Sequence, residues 1–236
     1  VTGGLLAEED CQVDPRALAL ALAAATRAHG GHIVEGAAGE ALDAQGGRAR
    51  RVTGRTDGQE FSVECEAAVV AAGARSSTDV RSQASELGIR PVKGQTVRVR
   101  GPELLRHVLR TPEVYLVPRE RGELVIGATM EEQGFDVTPT AGAVMDLLRR
   151  AWHVLPGIYD CVFSEVSVGL RPAARDHLPL IGATDEEGVF VAAGHYRHGV
   201  LLAPVTAWLL ADLIADGTQS RLLEPFSPSR LRVRPS

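Results

Sequence analysis

The chain has 236 residues, of which 44% are hydrophobic, 23% charged and 4% aromatic, with a formal net charge of −5. That length supports one large domain or two modest ones with a substantial core. An acidic chain poor in aromatic side chains argues against nucleic acid as the main partner, because phosphate contacts need a basic surface and base stacking needs rings.

The longest strongly apolar run, Val200 to Ala211, is too short for a bilayer and contains Pro204. The opening residues lack the basic, then apolar, then small pattern of a signal peptide. Cys11, Cys65 and Cys161 are widely spaced and form no C-x-x-C. They predict unpaired thiols in a reducing compartment, and hence the cytoplasm. The chain opens on Val1-Thr-Gly-Gly-Leu5 and reads as the interior of a longer protein.

In chain order, Asp14-Pro15 is a strong helix start, with a capping carboxylate before proline at the first helical position. Alanine and leucine continue that helix to Ala28, and Gly30-Gly31 stops it. His32 to Glu35 is a short strand candidate. Arg48 to Thr56 and Glu60 to Glu66 predict a hairpin turning at Asp57-Gly58. Ala67 to Ala72, ending at Gly73, suits a strand buried on both faces of a parallel sheet.

Val92 to Val99, Val114 to Pro118 and Glu123 to Thr129 alternate as antiparallel strands do. A helix follows from Thr138-Pro139 to about Val154, closed by Pro156-Gly157. Val162 to Leu170 is strand-like, Gly188 to Ala193 is a second buried strand, and Val200 to Ala215 is a helix ending at Gly217. The Arg-rich tail after Ser227 is expected to fray. The order fits an α/β domain interrupted by an α+β insertion.

Four segments carry candidate chemistry. In Val69-Val-Ala-Ala-Gly73 a buried strand ends in glycine, which lets the backbone approach a ligand at the carboxyl edge of a sheet. In Ala193-Gly-His-Tyr-Arg-His-Gly199 the same logic repeats and leads into a helix, whose N-terminal N–H groups favour an anion. His195 and His198 lack neighbours to complete a metal set, so no metal is expected.

In Gly169-Leu-Arg-Pro172 an arginine ends an apolar strand. Its planar fork suits a substrate carboxylate, or a protein carboxylate such as Asp176. Tyr115 and Met130, on neighbouring predicted strands, offer a hydroxyl and an apolar wall to one pocket, or are ordinary core side chains. The sequence holds no G-x-S-x-G, H-E-x-x-H or P-loop, and no carboxylate pair distinguished enough for acid–base work.

These segments, together with Val13 to Arg16, Pro91-Val-Lys-Gly-Gln95, Tyr115 to Arg119 and Gly127-Ala-Thr-Met130, follow one pattern in order and spacing. The chain resembles the flavin-dependent glycine oxidases of the D-amino-acid oxidase family from about Gly3 to Gly217. The fold implied is α/β plus α+β: an incomplete, Rossmann-like FAD-binding domain with an antiparallel-sheet substrate domain. Residues 14–88 and 166–236 would belong to the former, and 1–13 and 89–165 to the latter.

By that resemblance Arg171 holds the substrate carboxylate, Tyr115 assists by hydrogen bonding, Met130 lines the pocket and Arg197 lies near its entrance. Gly194, His195, Tyr196, Arg197, His198, Gly199, Val200 and Leu201 border the flavin ring. Gly39, Ala72 and Gly73 lie near the adenosine end, although the family tends to have a larger apolar residue at the position of Gly39. Sarcosine oxidases of the family attach FAD through a cysteine near this strand. Val168 to Pro172 has none, so the implied FAD is noncovalent.

The reaction implied is hydride transfer from an amino acid to flavin, giving an imine, with oxygen reduced to hydrogen peroxide. No protein base is required, and the implied pathway is thiamin thiazole synthesis. The G-x-G-x-x-G unit that grips the FAD diphosphate in the family is missing. This polypeptide alone is therefore expected to bind FAD weakly or not at all unless a separate chain supplies that unit. A quinone-linked D-amino-acid dehydrogenase and a non-catalytic scaffold remain as alternatives, and homo-oligomerisation is open.

Overall fold

A computed structural model describes residues 3–78 and 87–231. In chain order the elements are α1 (Pro15–Ala28), β1 (Ala37–Asp43), β2 (Arg51–Thr56), β3 (Gln59–Glu64) and β4 (Ala68–Val70). Next come β5 (Arg90–Arg100), β6 (Leu109–Arg110), β7 (Tyr115–Pro118), β8 (Glu123–Gly127) and α2 (Ala141–Val154). The last are β9 (Val162–Ala173), β10 (Leu180–Ala183), β11 (Val189–Ala193) and α3 (Gly199–Asp216). They fall into two compact units.

The first unit comprises Val1–Ile33, Lys93–Glu131 and Asp136–Gly169. Its frame is a five-stranded sheet in the order β6-β7-β8-β5-β9. Strand alternation sends Val97 and Val99 of β5, Leu116 of β7, and Leu124 and Ile126 of β8 to one face. There they pack against Leu147 and Ala151 of α2, and against Ile158. Helix α2 starts where Thr140 accepts a hydrogen bond from the Ala143 N–H, two residues later than the sequence suggests.

The opposite face of this sheet carries ion pairs beside Val117 and Val125. Arg98 is 8% exposed and pairs with Glu123, and Arg16 pairs with Glu165. The segment before α1 joins the same unit, with Gln12 donating to the Pro118 carbonyl at 2.7 Å. Helix α1 begins as expected: the Asp14 carboxylate accepts from the N–H groups of Arg16 and Ala17, and Pro15 occupies the first turn.

The second unit comprises Val34–Val92, Glu132–Phe135 and Leu170–Ser236. One sheet is antiparallel, in the order β1-β2-β3, and includes the expected hairpin. Its turn residues Asp57 and Gly58 both have positive φ, 50° and 78°, the geometry that joins two twisted strands most tightly. The other sheet has the order β10-β11-β4, with β4 and β11 parallel. Its core is Val70, Leu87, Ile89, Ala174, Leu180, Val191 and Ala193.

Several expectations are corrected. His32 to Glu35 forms no strand; the strand is β1, starting at Ala37. Its alanines, glycine and glutamate have little strand preference, and pairing with β2 from Ala37↔Thr56 to Asp43↔Arg51 supplies it instead. Strand β4 is buried on one face only, since Val70 is buried while Val69 is 43% exposed.

The tail beyond Ser227 does not fray at once. Pro228 to Leu231 form a 3₁₀ turn with Pro228 buried, and Leu231 packs on the core; residues 232–236 lie outside the described ones. Helix α3 runs 18 residues, longer than the apolar run, and so reaches by length and composition what a short membrane crossing requires. Its Leu209 nevertheless packs with Ile181 and Leu223 in the core of the second unit.

Candidate active site

Each unit collects one group of the predicted site residues. In the first, Tyr115 of β7 pairs with Gly127 of β8, which pairs with Thr96 of β5. These three share the sheet face opposite α2. The tyrosine ring lies so closely over Gly127 that a Cβ there would collide with its ring and hydroxyl. Glycine is what lets the ring lie flat across its neighbour. Beyond Gly127 the chain pairs again with β5 through Lys93↔Glu131. Glu131 therefore faces the α2 side and Met130, 64% exposed, faces the Tyr115 side.

Behind Met130 lies a buried polar cluster. Lys93 and Gln95 sit on the inner face of β5 at 1% and 0% exposure. The Lys93 ammonium donates to Asp136 Oδ2 and to the Thr138 carbonyl, both at 2.6 Å. That ammonium first, and the Thr138 N–H second, hold the Asp136 carboxyl at about 2, below the ordinary 3.8. Because the folded value is depressed, the contribution to stability is complete above pH 3.8 and is lost as pH falls towards 2. Asp136→Asn is expected to flatten stability against pH across that window, as measured by urea unfolding at a series of pH values.

In the second unit the parallel strands β4 and β11 run in register, Val70 opposite Val191. The loops that follow them, Ala72-Gly73 and Gly194-His195, thus emerge at one edge of the sheet. Gly73 has φ +56° and nothing within 4 Å of where a Cβ would stand. Gly194 has φ +76°, and a Cβ there would meet Ile89 Cδ1 at 3.0 Å and Ala174 Cβ at 3.3 Å. Both glycines serve conformations that L side chains resist, and Gly73 leaves open space at the strand end.

The end of β9 lies against the second loop. Ala173 bridges His195, and the Tyr196 N–H donates to the Pro172 carbonyl at 2.8 Å. Half-buried Arg171 is therefore anchored one residue from the loop that opens α3. The protein carboxylate suggested as its partner, Asp176, accepts two hydrogen bonds from Arg230, at 2.9 and 3.1 Å. His195 is held by Thr206 Oγ1 at 3.0 Å from Nε2, and burial favours its neutral ring. Arg197 and His198 are exposed, and no side chain caps the α3 N-terminus at His198.

Gly39 lies in the β1-β2-β3 sheet, where a Cβ would touch Val52 at 3.9 Å and leaves room for a larger residue. Among the described residues, His, Cys, Asp and Glu side chains form no group of three able to hold a metal ion. Sequence reasoning missed the Lys93–Gln95 cluster, Thr206 and Arg230. The first had a visible signal: Lys93 and Gln95 stand four and two residues before Val97, on the strand face that Val97 and Val99 bury.

Parallel strands ending in glycine loops, a helix N-terminus at that edge and an antiparallel sheet elsewhere define an α/β plus α+β oxidoreductase fold. The model of the DAO family, FAD dependent oxidoreductase, matches residues 1–213, and the chain belongs to that family. It is 37% identical over 233 residues to a glycine oxidase of Geobacillus kaustophilus, covering 98% of this chain and 60% of that protein. It is 36% identical over 241 residues to the bifunctional protein ThiO/ThiG of Trichormus variabilis, covering 100% of this chain and 36% of that one. The crystal structure of the Geobacillus kaustophilus glycine oxidase superposes with a TM-score of 0.80 at 36% identity, covering 92% of this chain and 58% of that one. The chain thus spans less than two thirds of the length of these relatives.

The residues present fit FAD where the second unit can be tested. Gly73 leaves open space beside its backbone at the strand end, and the first N–H groups of α3 are directed out of the helix without a side-chain cap.

Proposed function

We propose that the protein oxidises glycine or another small amino acid to its imine, with release of hydrogen peroxide, as a noncovalent flavoenzyme of thiamin thiazole synthesis. Bound FAD would supply the two-electron acceptor. Residues 14–88 and 166–236 would serve the cofactor and residues 1–13 and 89–165 the substrate. Gly194 to Leu201 would border the flavin ring, and the α3 N-terminus would favour negative charge there. Ala72, Gly73 and Gly39 would lie towards the adenosine.

Arg171 would grip the substrate carboxylate through its paired N–H groups, and Tyr115 would donate its hydroxyl to the same group. Met130 would bound the pocket and Arg197 its entrance. With the carboxylate held, the Cα–H of a substrate carrying a neutral amino group is aligned, and no protein base takes part. Orientation supplies most of the rate. The free thiols of Cys11, Cys65 and Cys161 support a reducing compartment such as the cytoplasm.

The observation that carries this function is the junction of the Arg171 strand end with the glycine loop opening α3, made by the Tyr196-to-Pro172 hydrogen bond of 2.8 Å. The test is oxygen uptake and peroxide formation by the full-length, flavin-loaded protein with glycine. One peroxide per glycine consumed is expected. Turnover with a quinone but not oxygen would make it a dehydrogenase instead. Flavin bound without turnover of glycine, sarcosine or small D-amino acids would leave a scaffold.

A further inference from the structure

Gln95 ties the segment that carries Met130 to the N-terminus of α2. Its side-chain amide N–H groups donate to Glu131 Oε1 at 2.9 Å and to Thr140 Oγ1 at 3.3 Å. Its side-chain oxygen accepts from the Thr140 N–H at 3.0 Å. Its backbone N–H donates to Thr129 Oγ1 at 2.9 Å, and its carbonyl accepts from the Thr129 N–H at 3.2 Å. The Thr129 hydroxyl in turn donates to Glu131. Lys93 and Glu131 exchange two backbone hydrogen bonds, each of 2.9 Å.

Thr129 and Glu131 are thus drawn to the inner face of the sheet, on either side of Met130. In extended backbone the residue between two inward side chains must point outward. The direction of Met130, a residue 64% exposed, thus follows from the Gln95 cluster on either side of it. A flexible thioether has several rotamers and adapts readily, so its backbone anchor decides where it can reach.

We infer that Gln95, acting through Thr129 and Glu131, is a positioning residue that holds Met130 as the wall setting which side-chain size the substrate site accepts. This rests on the proposal that Met130 lines the substrate pocket. Gln95 touches no substrate. A single methylene of pocket space changes selectivity by about 10- to 200-fold, so a displaced methionine is felt most by substrates differing by one carbon.

Methyl-¹³C labelling of methionine in the full-length protein, with the Met130 signal assigned by its loss in Met130→Ala, reads the position of that side chain, and Met145 on α2 is an internal control. Gln95→Leu is expected to shift and broaden the Met130 methyl signal while leaving that of Met145 in place. In the full-length flavin-loaded protein it is expected to change the kcat/KM ratio of glycine to D-alanine by about tenfold. Thr129→Val removes one hydroxyl from the same cluster at constant shape and reads the same two quantities if Gln95→Leu does not fold.

Met130→Ala is measured alongside. If it changes the ratio while neither cluster variant moves the signal or the ratio, Gln95 and Thr129 are merely structural and the positioning role is overturned. If Met130→Ala leaves the ratio unchanged, Met130 does not line the pocket, and both proposals fail together.

Discussion

Arg171→Ala in the full-length, flavin-loaded protein is expected to lower kcat/KM for glycine by about 30- to about 4,000-fold, with flavin still bound. That range corresponds to ~2–5 kcal/mol, the usual cost of truncating one partner of a desolvated charge pair. Arg171 is half-buried, so solvent screening places the result towards the lower end. The reason to expect a ligand role is local: Arg171 stands at the strand end joined to the loop that opens α3 by the hydrogen bond from the Tyr196 N–H to the Pro172 carbonyl. Asp176 is held in a two-pronged contact by Arg230, which also donates to the Leu178 carbonyl at 2.8 Å.

Arg171→Lys separates charge from geometry. A lysine keeps the cation but offers no planar fork, so an intermediate loss is expected if the contact is bidentate. Steady-state oxygen uptake gives the kinetic change, and flavin absorbance after gel filtration gives occupancy. Unchanged kinetics with glycine would remove Arg171 from the carboxylate site.

The second large effect is expected at Gly194, and it is an effect on stability. With φ +76°, any L side chain there pays the left-handed penalty, about 1–2 kcal/mol. A Cβ also presses on Ile89 Cδ1 at 3.0 Å, Ala174 Cβ at 3.3 Å and the Leu180 nitrogen at 3.5 Å. These are atoms of a buried core, and overpacking such a core adds about 1–3 kcal/mol. Gly194→Val is therefore expected to destabilise by about 2–5 kcal/mol in urea titration.

Gly73→Ala provides the contrast. Its φ of +56° carries the backbone penalty alone, because nothing stands within 4 Å of the added carbon. A loss of about 1–2 kcal/mol is expected, with flavin binding weakened by a methyl in the open space beside the backbone. Equal losses at the two positions would mean that the Gly194 contacts relax freely.

Elements with a local chemical signal were legible in the sequence. Asp14-Pro15 starts α1, Asp57-Gly58 turns the β2–β3 hairpin, and Gly217, at φ +67°, ends α3. The strands of the antiparallel block were legible because Val97, Val99, Leu116, Leu124 and Ile126 recur at every second position. Strand β1 was not. Ala37 to Asp43 has neither alternation nor β-branched side chains, and it is a strand only because β2 offers it a ladder. Strand β10 escaped for a related reason: its four residues, Leu180 to Ala183, include a glycine and gain order from β11 beside them.

The site divides in the same way. The glycines at 73 and 194, the arginine at 171 and the tyrosine at 115 were legible as residue types at strand ends or along strands. The sharing of a sheet face by Tyr115 and Met130 was open, because it depends on pairing resuming at Lys93↔Glu131 beyond Gly127. The partner of Asp176 was open too, since Arg230 lies 54 residues away in a tail expected to fray.

By itself, then, the sequence determined where chain direction changes, which positions are apolar at strand spacing, and which polar residues stand at strand ends. Each of those is a property of a residue and its near neighbours. Only the tertiary structure decided which strands pair, which face Met130 occupies and which acid Arg230 neutralises. Those outcomes depend on hydrogen bonds between residues distant in the chain, whose formation requires the surrounding core to be in place.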